Sequence, residues 1–227
     1  MTYYGMRRDR MDKIKINVSM AVIRRLPKYY RYLDELVEKG ITRISSKEFG
    51  KILGFTASQI RQDLNCFGGF GQQGYGYNVR ELRDEIANIL GLHKPNNAII
   101  VGAGNLGQAI ANYSGFRGSG FVLKAMFDIN PRLVGISIGD IKIMDIDDMG
   151  EFIENTDINV GIICTPKEGA QSVAKRLTGE GIKAIWNFAP TDLEVPENVI
   201  VENVQLSESL MVLAYLMNER DRMENAQ

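Results

Sequence analysis

Apolar residues recur at helical spacing near the start of the chain. Between Ser19 and Gly40 they fall on one face, which predicts a single amphipathic helix. Pro27 is tolerated because it lies in an early turn, and Gly40 favours termination. The first element is therefore expected to be one long helix.

Two capping boxes follow, each with a Ser or Thr three residues before an acidic or amide side chain. Ser45 precedes Glu48 in this way, and Thr56 precedes Gln59. Gly54 lies between the two predicted helices, where the chain has room only for a tight turn. The sequence therefore predicts a helix-turn-helix.

The second helix of this motif has a polar face opposite its apolar face. Ile60, Leu64 and Phe67 fall together on the apolar side. Arg can pair with guanine edges in the major groove, and Gln or Asn can pair with adenine edges. An ordinary solvated helix face is the alternative interpretation. The candidate DNA-contacting residues are Ser58, Gln59, Arg61, Gln62 and Asn65.

A glycine-rich segment separates this helix from the next one. Five glycines and three aromatic residues between Gly68 and Asn78 predict a short β-hairpin, and Asn78 can cap the helix that follows. A hairpin at this point would be a wing. Gly74 and Tyr75 are its candidate contacts with a minor groove, and a plain hairpin loop is the alternative.

An apolar strand is then followed by glycines with the spacing of a dinucleotide-binding loop. The first glycine of such a loop permits a tight turn, the second admits a pyrophosphate, and the third packs the helix on the strand. Asp128 ends the next strand, 21 residues after Gly107, where a carboxylate binds ribose hydroxyls and repels a 2′-phosphate. NAD(H) is therefore the expected cofactor. The candidate contacts in the loop are Gly102, Ala103, Gly104, Asn105, Leu106 and Gly107.

Two further apolar strands, separated by an amphipathic helix, complete a doubly wound α/β pattern. They end at Thr165-Pro166 and at Asn187, and the carboxyl ends of parallel strands line the crevice where nucleotides bind. These three residues are candidate nicotinamide contacts, with ordinary loop chemistry as the alternative. The last segment is apolar all round a helix, which indicates either a dimer interface or docking within the chain.

Charge and composition refine the functional picture. The net charge is +7 over residues 1–94 and −8 over the rest, which suits the first part to a polyanion. Cys66 and Cys164 cannot form a disulfide framework or metal cluster, so we expect packing roles in a reducing cytoplasm. No apolar run is long enough for a membrane span, and no metal site is expected.

Catalytic chemistry is not evident in the sequence. The only histidine, His93, is far from the cofactor motifs, and no proton donor stands beside them with an orienting partner. Two function classes remain at this point. One is a DNA-binding repressor that senses a nucleotide, and the other is a nucleotide- or CoA-binding α/β enzyme with an accessory winged helix.

The predicted organisation is α/β with four parts. A flexible basic arm of residues 1–16 precedes a winged helix-turn-helix domain of residues 17–94. A Rossmann-like domain with a doubly wound parallel sheet spans residues 95–205, and a C-terminal dimerisation helix spans residues 206–227.

Several strings of the sequence, taken with the order of these parts, match those of a known family. They are RLPKYYRYLDEL, TASQIRQDL, GFGQQGYGYNV, VGAGNLGQA, FDINP and NFAPTDLEVPENVIVENV. In these strings and in the order of its parts, the chain resembles the Rex family of bacterial redox-sensing repressors. The resemblance implies a homodimer with a swapped C-terminal helix, bound to a palindromic operator that ends in TTGT and ACAA. It also implies release by NADH, with NAD⁺ competing for the site without relieving repression.

Residue by residue, the resemblance places Arg61 and Gln62 at base-reading positions, although some relatives have Lys where Gln62 stands. Leu206 matches the residue that approaches the partner subunit's nicotinamide ring. An apolar residue there would favour the neutral dihydronicotinamide over the cationic oxidised ring. A switch network, whose third member is often Asp in relatives, is matched by Arg31, Tyr113 and Gln205.

Overall fold

A computed structural model describes residues 18–70, 75–113, 115 and 119–225. The chain divides into two compact units between Lys94 and Pro95, and each unit has its own buried apolar core. The predicted basic arm of residues 1–16 lies outside the described residues. None of the helices in the described ranges is both long and apolar enough to cross a membrane.

The first unit is a winged helix-turn-helix, as predicted. The single helix expected from Ser19 is two helices, because the chain turns at Arg24 and Arg25 and Pro27 lies in the first turn of the second helix. The elements are α1 Met20–Ile23, α2 Leu26–Glu38, β1 Arg43–Ile44, α3 Ser46–Leu53, α4 Ala57–Asn65, β2 Tyr77–Asn78 and α5 Val79–Ile89.

Local capping fixes where three of these helices begin. Ser45 and Glu48 form the complete capping box predicted for α3. Thr56 caps α4 by accepting a hydrogen bond from the Gln59 backbone, but the Gln59 side chain is engaged elsewhere, so the second predicted box is incomplete. Asn78 caps α5 through its side-chain oxygen.

A small antiparallel sheet joins β1 to β2. Arg43 lies opposite Asn78, and Ile44 lies opposite Tyr77. Within the described residues, the end of the glycine-rich segment thus pairs with a strand that precedes α3, a pairing that was not predicted. The hairpin expected within the segment itself stays a prediction. Residues 71–74, including the predicted contact Gly74, lie outside the described residues.

Within its described residues, the second unit forms a seven-stranded sheet in the order β5-β6-β4-β3-β7-β8-β9. Six strands are parallel, and the edge strand β5 pairs antiparallel with β6. The doubly wound sheet is thus confirmed, with an antiparallel edge that was not predicted. The strands are β3 Asn96–Val101, β4 Phe121–Asp128, β5 Ser137–Ile138, β6 Ile141–Asp145, β7 Val160–Ile163, β8 Ala184–Asn187 and β9 Ile200–Asn203.

Helices cover both faces of this sheet because alternate strand residues point to opposite sides. Along β3, Ile99 and Val101 pack with α7 and α8 on one face, and Ala98 and Ile100 pack in a second cluster with α6. The helices are α6 Asn105–Ala111, α7 Met149–Asn155 with a 3₁₀ turn Ile146–Asp148 before it, α8 Lys167–Gly179 and α9 Leu206–Glu224.

Candidate functional site

The helix-turn-helix depends on two glycines. Gly54 ends α3 with a left-handed φ of 76°, which glycine adopts at little cost. A Cβ at Gly50 would lie 2.5 Å from the Phe55 carbonyl oxygen, so α3 needs glycine where the turn passes it. Lys28 Nζ donates to the Leu53 carbonyl oxygen at 2.7 Å and ties α2 to the end of α3. The turn therefore presents α4 in a defined position.

The outward face of α4 carries four of the predicted DNA-contacting side chains. Ser58, Arg61, Gln62 and Asn65 are all exposed, and at 100° per residue they span an arc of about 100° around the helix axis. Arg61 Nη1 donates to Ser46 Oγ at 3.0 Å, which holds the guanidinium near the start of α3. The structure thus brings hydrogen-bonding groups suited to base edges together on one surface.

Asp63 is the polar centre of the inward face of α4, and it was not among the residues predicted from the sequence. It is 1% exposed, and its carboxylate accepts hydrogen bonds from Arg25 at 2.6 and 2.7 Å, from Tyr29 Oη at 2.6 Å and from Gln59 Nε2 at 2.7 Å. Burial alone would raise the pKa of Asp63, but these donors outweigh burial and hold it below its usual value. The Gln59 amide therefore faces inward, which corrects its prediction as a DNA contact.

Tyr75 lies at the described edge of the wing. Its side chain is 69% exposed, and the Arg43 guanidinium lies 6.0 Å from its ring centroid. Arg43 Nη1 also donates to the Tyr75 carbonyl oxygen at 3.2 Å. Gly76 has φ 70°, and a Cβ there would lie 2.6 Å from the Ile44 carbonyl oxygen, so glycine lets β2 approach β1. Arg43, which was not predicted, adds an exposed cation beside the wing.

The three glycines of the loop between β3 and α6 have different roles. Gly102 has φ 102°, and a Cβ there would lie 2.7 Å from the Cys164 carbonyl oxygen. A Cβ at Gly107 would overlap the Gly102 carbonyl oxygen, so this glycine packs α6 on the strand. A Cβ at Gly104 would meet nothing within 4 Å. The fold therefore does not need glycine at Gly104, and the open space above it admits a ligand.

Asp128 already shapes this loop from the end of β4. Its Oδ2 accepts from the Ala103 backbone N–H at 2.6 Å, and its Oδ1 accepts from the Asn130 N–H at 2.8 Å. Asn105, the first residue of α6, is exposed, and Leu106 after it is half-buried. The predicted ribose-binding acid and the predicted phosphate loop are therefore directly bonded to one another.

The end of β7 lies against the glycine loop. Burial raises the pKa of Cys164 to about 12, so this thiol stays protonated, in keeping with the predicted packing role. Thr165 carries a hydroxyl that is buried and has no hydrogen-bond partner among the described residues. Such a group is costly to leave unpaired, and a bound ligand would satisfy it. Pro166 follows at the surface. Cys66 is exposed, so its predicted packing role is wrong.

Asn187, at the end of β8, is 0% exposed. Its Nδ2 donates to the Thr191 carbonyl oxygen and to Asn203 Oδ1, both at 2.8 Å, and its Oδ1 accepts from the Ala189 N–H at 3.0 Å. The side chain thus organises its own loop and the end of β9. This corrects its prediction as a ligand contact.

The terminal helix α9 has no buried residue. Leu206, at its first position, is 62% exposed. A continuous apolar surface of this kind is rare on a monomer and indicates an interaction site. The docking within the chain that the sequence left open is not seen in the described residues. The exposed large apolar side chains of α9 are Leu206, Leu210, Met211, Val212, Leu213, Tyr215, Leu216, Met217 and Met223.

The three residues of the expected switch lie in different parts of the chain. Arg31 is exposed on α2 in the first unit. In the second unit, Tyr113 is exposed just after α6, and Gln205 is half-buried at the N-cap position of α9. Their coupling stays a prediction.

Comparison with known proteins gives matches for both units. Residues 17–65 match the family model of a putative DNA-binding protein N-terminus, and residues 93–191 match that of a CoA binding domain. The redox-sensing transcriptional repressor Rex of Clostridioides difficile (strain 630) is 63% identical over 203 residues, which cover 89% of this chain and 97% of that protein.

Two solved structures are similar across both units. The crystal structure of RSP in complex with beta-NAD⁺ and operator DNA has a TM-score of 0.85 at 59% identity and covers 92% of this chain and 96% of its own. The crystal structure of RSP in complex with beta-NADH has a TM-score of 0.84 at 56% identity, and the match covers 92% of this chain and 99% of that chain.

This similarity decides between the two function classes left by the sequence. The curated relative is a transcriptional repressor that matches nearly end to end, so the enzyme alternative is set aside. The chain belongs to the Rex family of redox-sensing transcriptional repressors.

Proposed function

We propose that this protein is a homodimeric repressor that binds a palindromic operator through its N-terminal unit and leaves it when NADH binds its C-terminal unit. One observation carries the proposal. A single chain combines an exposed polar face on α4 with a glycine loop that is open at Gly104 and backed by Asp128. The similar protein RSP has structures with NAD⁺ and operator DNA and with NADH, which supports both halves.

Operator recognition is proposed to centre on Arg61 and Gln62. Both are exposed near the middle of α4, where a bidentate Arg–guanine pair or an amide–adenine pair can form in the major groove. Ser58 and Asn65 lie on the same arc and are proposed to help fix the position of α4 along the major groove. Tyr75 and Gly74 are proposed to enter the minor groove. The charge of +7 over residues 1–94 favours the attraction to phosphates that all such binding needs.

NAD(H) is the proposed ligand of the second unit. Gly104 leaves the space that a pyrophosphate needs, and Asp128 offers its remaining acceptor capacity to ribose hydroxyls while repelling a 2′-phosphate. The Thr165 hydroxyl is a further candidate donor to the ligand. Leu206 is proposed to lie against the partner subunit's nicotinamide, where an apolar surface favours the neutral reduced ring over the cationic oxidised ring.

Dimerisation is proposed to cover α9 by exchange of this helix between two subunits. The exposed apolar side chains surround the helix, as burial on more than one side requires. A two-fold dimer also matches a palindrome, since two recognition helices must reach half-sites about one helical turn, roughly 34–36 Å, apart. We place the protein in the cytoplasm, where both operator DNA and the NAD pool are found.

Release is proposed to work through Arg31, Tyr113 and Gln205. A rotation of a few degrees between subunits would move the two recognition helices out of register. NADH can drive this rotation only by its differential affinity for the two states. Gln205 is a neutral amide, and its hydrogen bond to an arginine is weaker than that of a carboxylate. The DNA-bound state is therefore less firmly held here than in relatives with Asp.

A gel shift with a palindromic duplex ending in TTGT and ACAA tests the proposal. NADH should release the duplex, and NAD⁺ should compete with NADH without releasing it. Arg61→Ala should reduce the free energy of operator binding by about 1–3 kcal/mol and relax the base preference at one symmetric pair of positions. An operator that stays bound at saturating NADH would contradict the sensor, and equal weakening on operator and random duplex would reduce Arg61 to a phosphate contact.

A further inference from the structure

The recognition helix α4 carries a charge on its buried side as well as a polar face outside. The donors to Asp63 come from Arg25 just before α2, from Tyr29 within α2, and from Gln59 one turn earlier in α4. Arg25 Nε and Nη2 bind the two carboxylate oxygens separately, at 2.6 and 2.7 Å. A bidentate pair of this kind fixes direction as well as distance.

An apolar side chain at this position would hold α4 against α2 about as firmly. Buried ion pairs are often replaced by apolar residues of similar volume with little loss of stability, or even with a gain. Ile60 and Leu64 are fully buried beside Asp63 and already supply apolar packing. What the Arg25–Asp63 pair adds is geometric, because a bidentate contact permits one rotation of α4 about its own axis.

The rotation of α4 decides whether its outward side chains meet base edges. At the roughly 6 Å radius of a helix with its side chains, a rotation of about 10° displaces a group by about 1 Å. A binding constellation must be held within about 0.5 Å and 10–20°. The outward side chains all turn together, so a loosened α4 would misplace Arg61 and Gln62 at once.

We propose that Asp63, held by Arg25, is a positioning residue for base recognition. This positioning pair sets the rotation of α4, and Gln59 belongs with it rather than with the DNA-contacting face. The inference rests on the proposed function, in which α4 reads operator DNA. Arg25 acts through Asp63 and does not neutralise a phosphate.

The test compares Asp63→Asn, Arg25→Gln and the double variant as full-length proteins. Affinity is measured on the operator, on a scrambled duplex of the same length, and over a series of salt concentrations. Each single variant is expected to bind the operator about tenfold or more weakly and the scrambled duplex within about twofold of wild type, with an unchanged salt slope. The double variant should be no weaker than the weaker single variant, since both changes remove one interaction.

Arg61→Ala is the matched control for a direct contact. Operators with single symmetric base changes distinguish the two roles, because loss of Arg61 relaxes the preference at one pair of bases. Loss of the positioning pair should relax the preference at several pairs together. Tyr29→Phe removes one donor to Asp63 and keeps the ring, so it should give a milder loss of the same pattern even if Asp63→Asn does not fold.

Two results would overturn the proposal. Equal weakening on both duplexes, with a salt slope reduced by about 0.9, would make Arg25 a phosphate contact. Folded variants that keep the full operator-to-scrambled ratio and lose only thermal stability would make the pair purely structural. A wild-type protein with no preference for the operator is a different outcome, because it contradicts the proposed function itself.

Discussion

Replacing both Leu210 and Leu213 with Ala is expected to separate the proposed dimer into monomers. The two side chains are 64% and 52% exposed in the protomer, and a partner would cover that surface. Each truncation removes three carbon atoms, worth about 0.8 kcal/mol apiece when buried. Scaled by the exposed fractions, and doubled because a two-fold dimer uses each residue twice, the loss is about 5.6 kcal/mol. The dimer Kd should therefore rise by roughly ten-thousandfold.

Sedimentation velocity over a concentration series measures this change directly. Alanine is the best helix former, so the double variant keeps α9 helical and isolates the lost contact. Asn218→Ala, at an exposed polar position of the same helix, is the matched control, and its dimer Kd should stay within about fivefold of wild type. A double variant that remains dimeric at the concentrations where wild type is dimeric would refute the assignment of the interface to α9.

Further substitutions test the ligand site and the switch. Asp128→Asn should weaken the binding of NADH and reduce the protein's preference for NADH over NADPH, because the amide no longer repels a 2′-phosphate. An unchanged preference measured by calorimetry would contradict this. Gly104→Ala should weaken the binding of NADH about tenfold and leave Tm unchanged, whereas Gly107→Ala should lower Tm. Equal Tm values for the two variants would refute the distinction between a glycine needed for the ligand and one needed for the fold. Gln205→Asp should raise operator affinity without NADH and raise the NADH needed for release. Operator titrations should show that gain vanish when Arg31→Ala is added, and a surviving gain would remove Gln205 from the switch.

The features that the sequence predicts well are those set by neighbouring residues. Ser45 and Asn78 bond to backbone groups no more than three residues away, so spacing alone identifies their helices. The glycine loop is found from its local spacing, and the φ of Gly102 and the approach of Gly107 to Gly102 arise within the loop. The approach of Gly102 to Cys164 is not local and could not be predicted. The four apolar strands β3, β4, β7 and β8, with the helices α6 and α8, follow from hydrophobic periodicity, and a doubly wound sheet follows from their order. The short strands β5, β6 and β9 and the helix α7 were not predicted.

The features that were missed depend on residues far apart in the chain. Asp63 is 38 residues from Arg25 and 34 from Tyr29, so no short sequence window contains these two partners. Gln59 was placed outside because a helical projection cannot show a buried acceptor on the other side. The local signal available was that Asp63 falls on the same side of α4 as the buried Ile60 and Leu64, where an acidic side chain needs a partner. Asn187 was misassigned similarly, since its partner Asn203 belongs to the next strand.

The strand order in the second unit separates the two ends of a bound dinucleotide. Asp128 ends β4, which lies on the far side of β3 from β7 and β8. Strands are about 4.8 Å apart, so the ends of β4 and β8 are roughly 14 Å apart. In the proposed sensor, β4 holds the adenosine half, which is identical in NAD⁺ and NADH and carries no redox information. Substitutions at that end change the affinity for NAD⁺ and NADH alike. The ratio of NADH to NAD⁺ that triggers release is set by the residues around the nicotinamide half, on the β7 side of the sheet. Pool size and redox ratio can therefore be tuned independently.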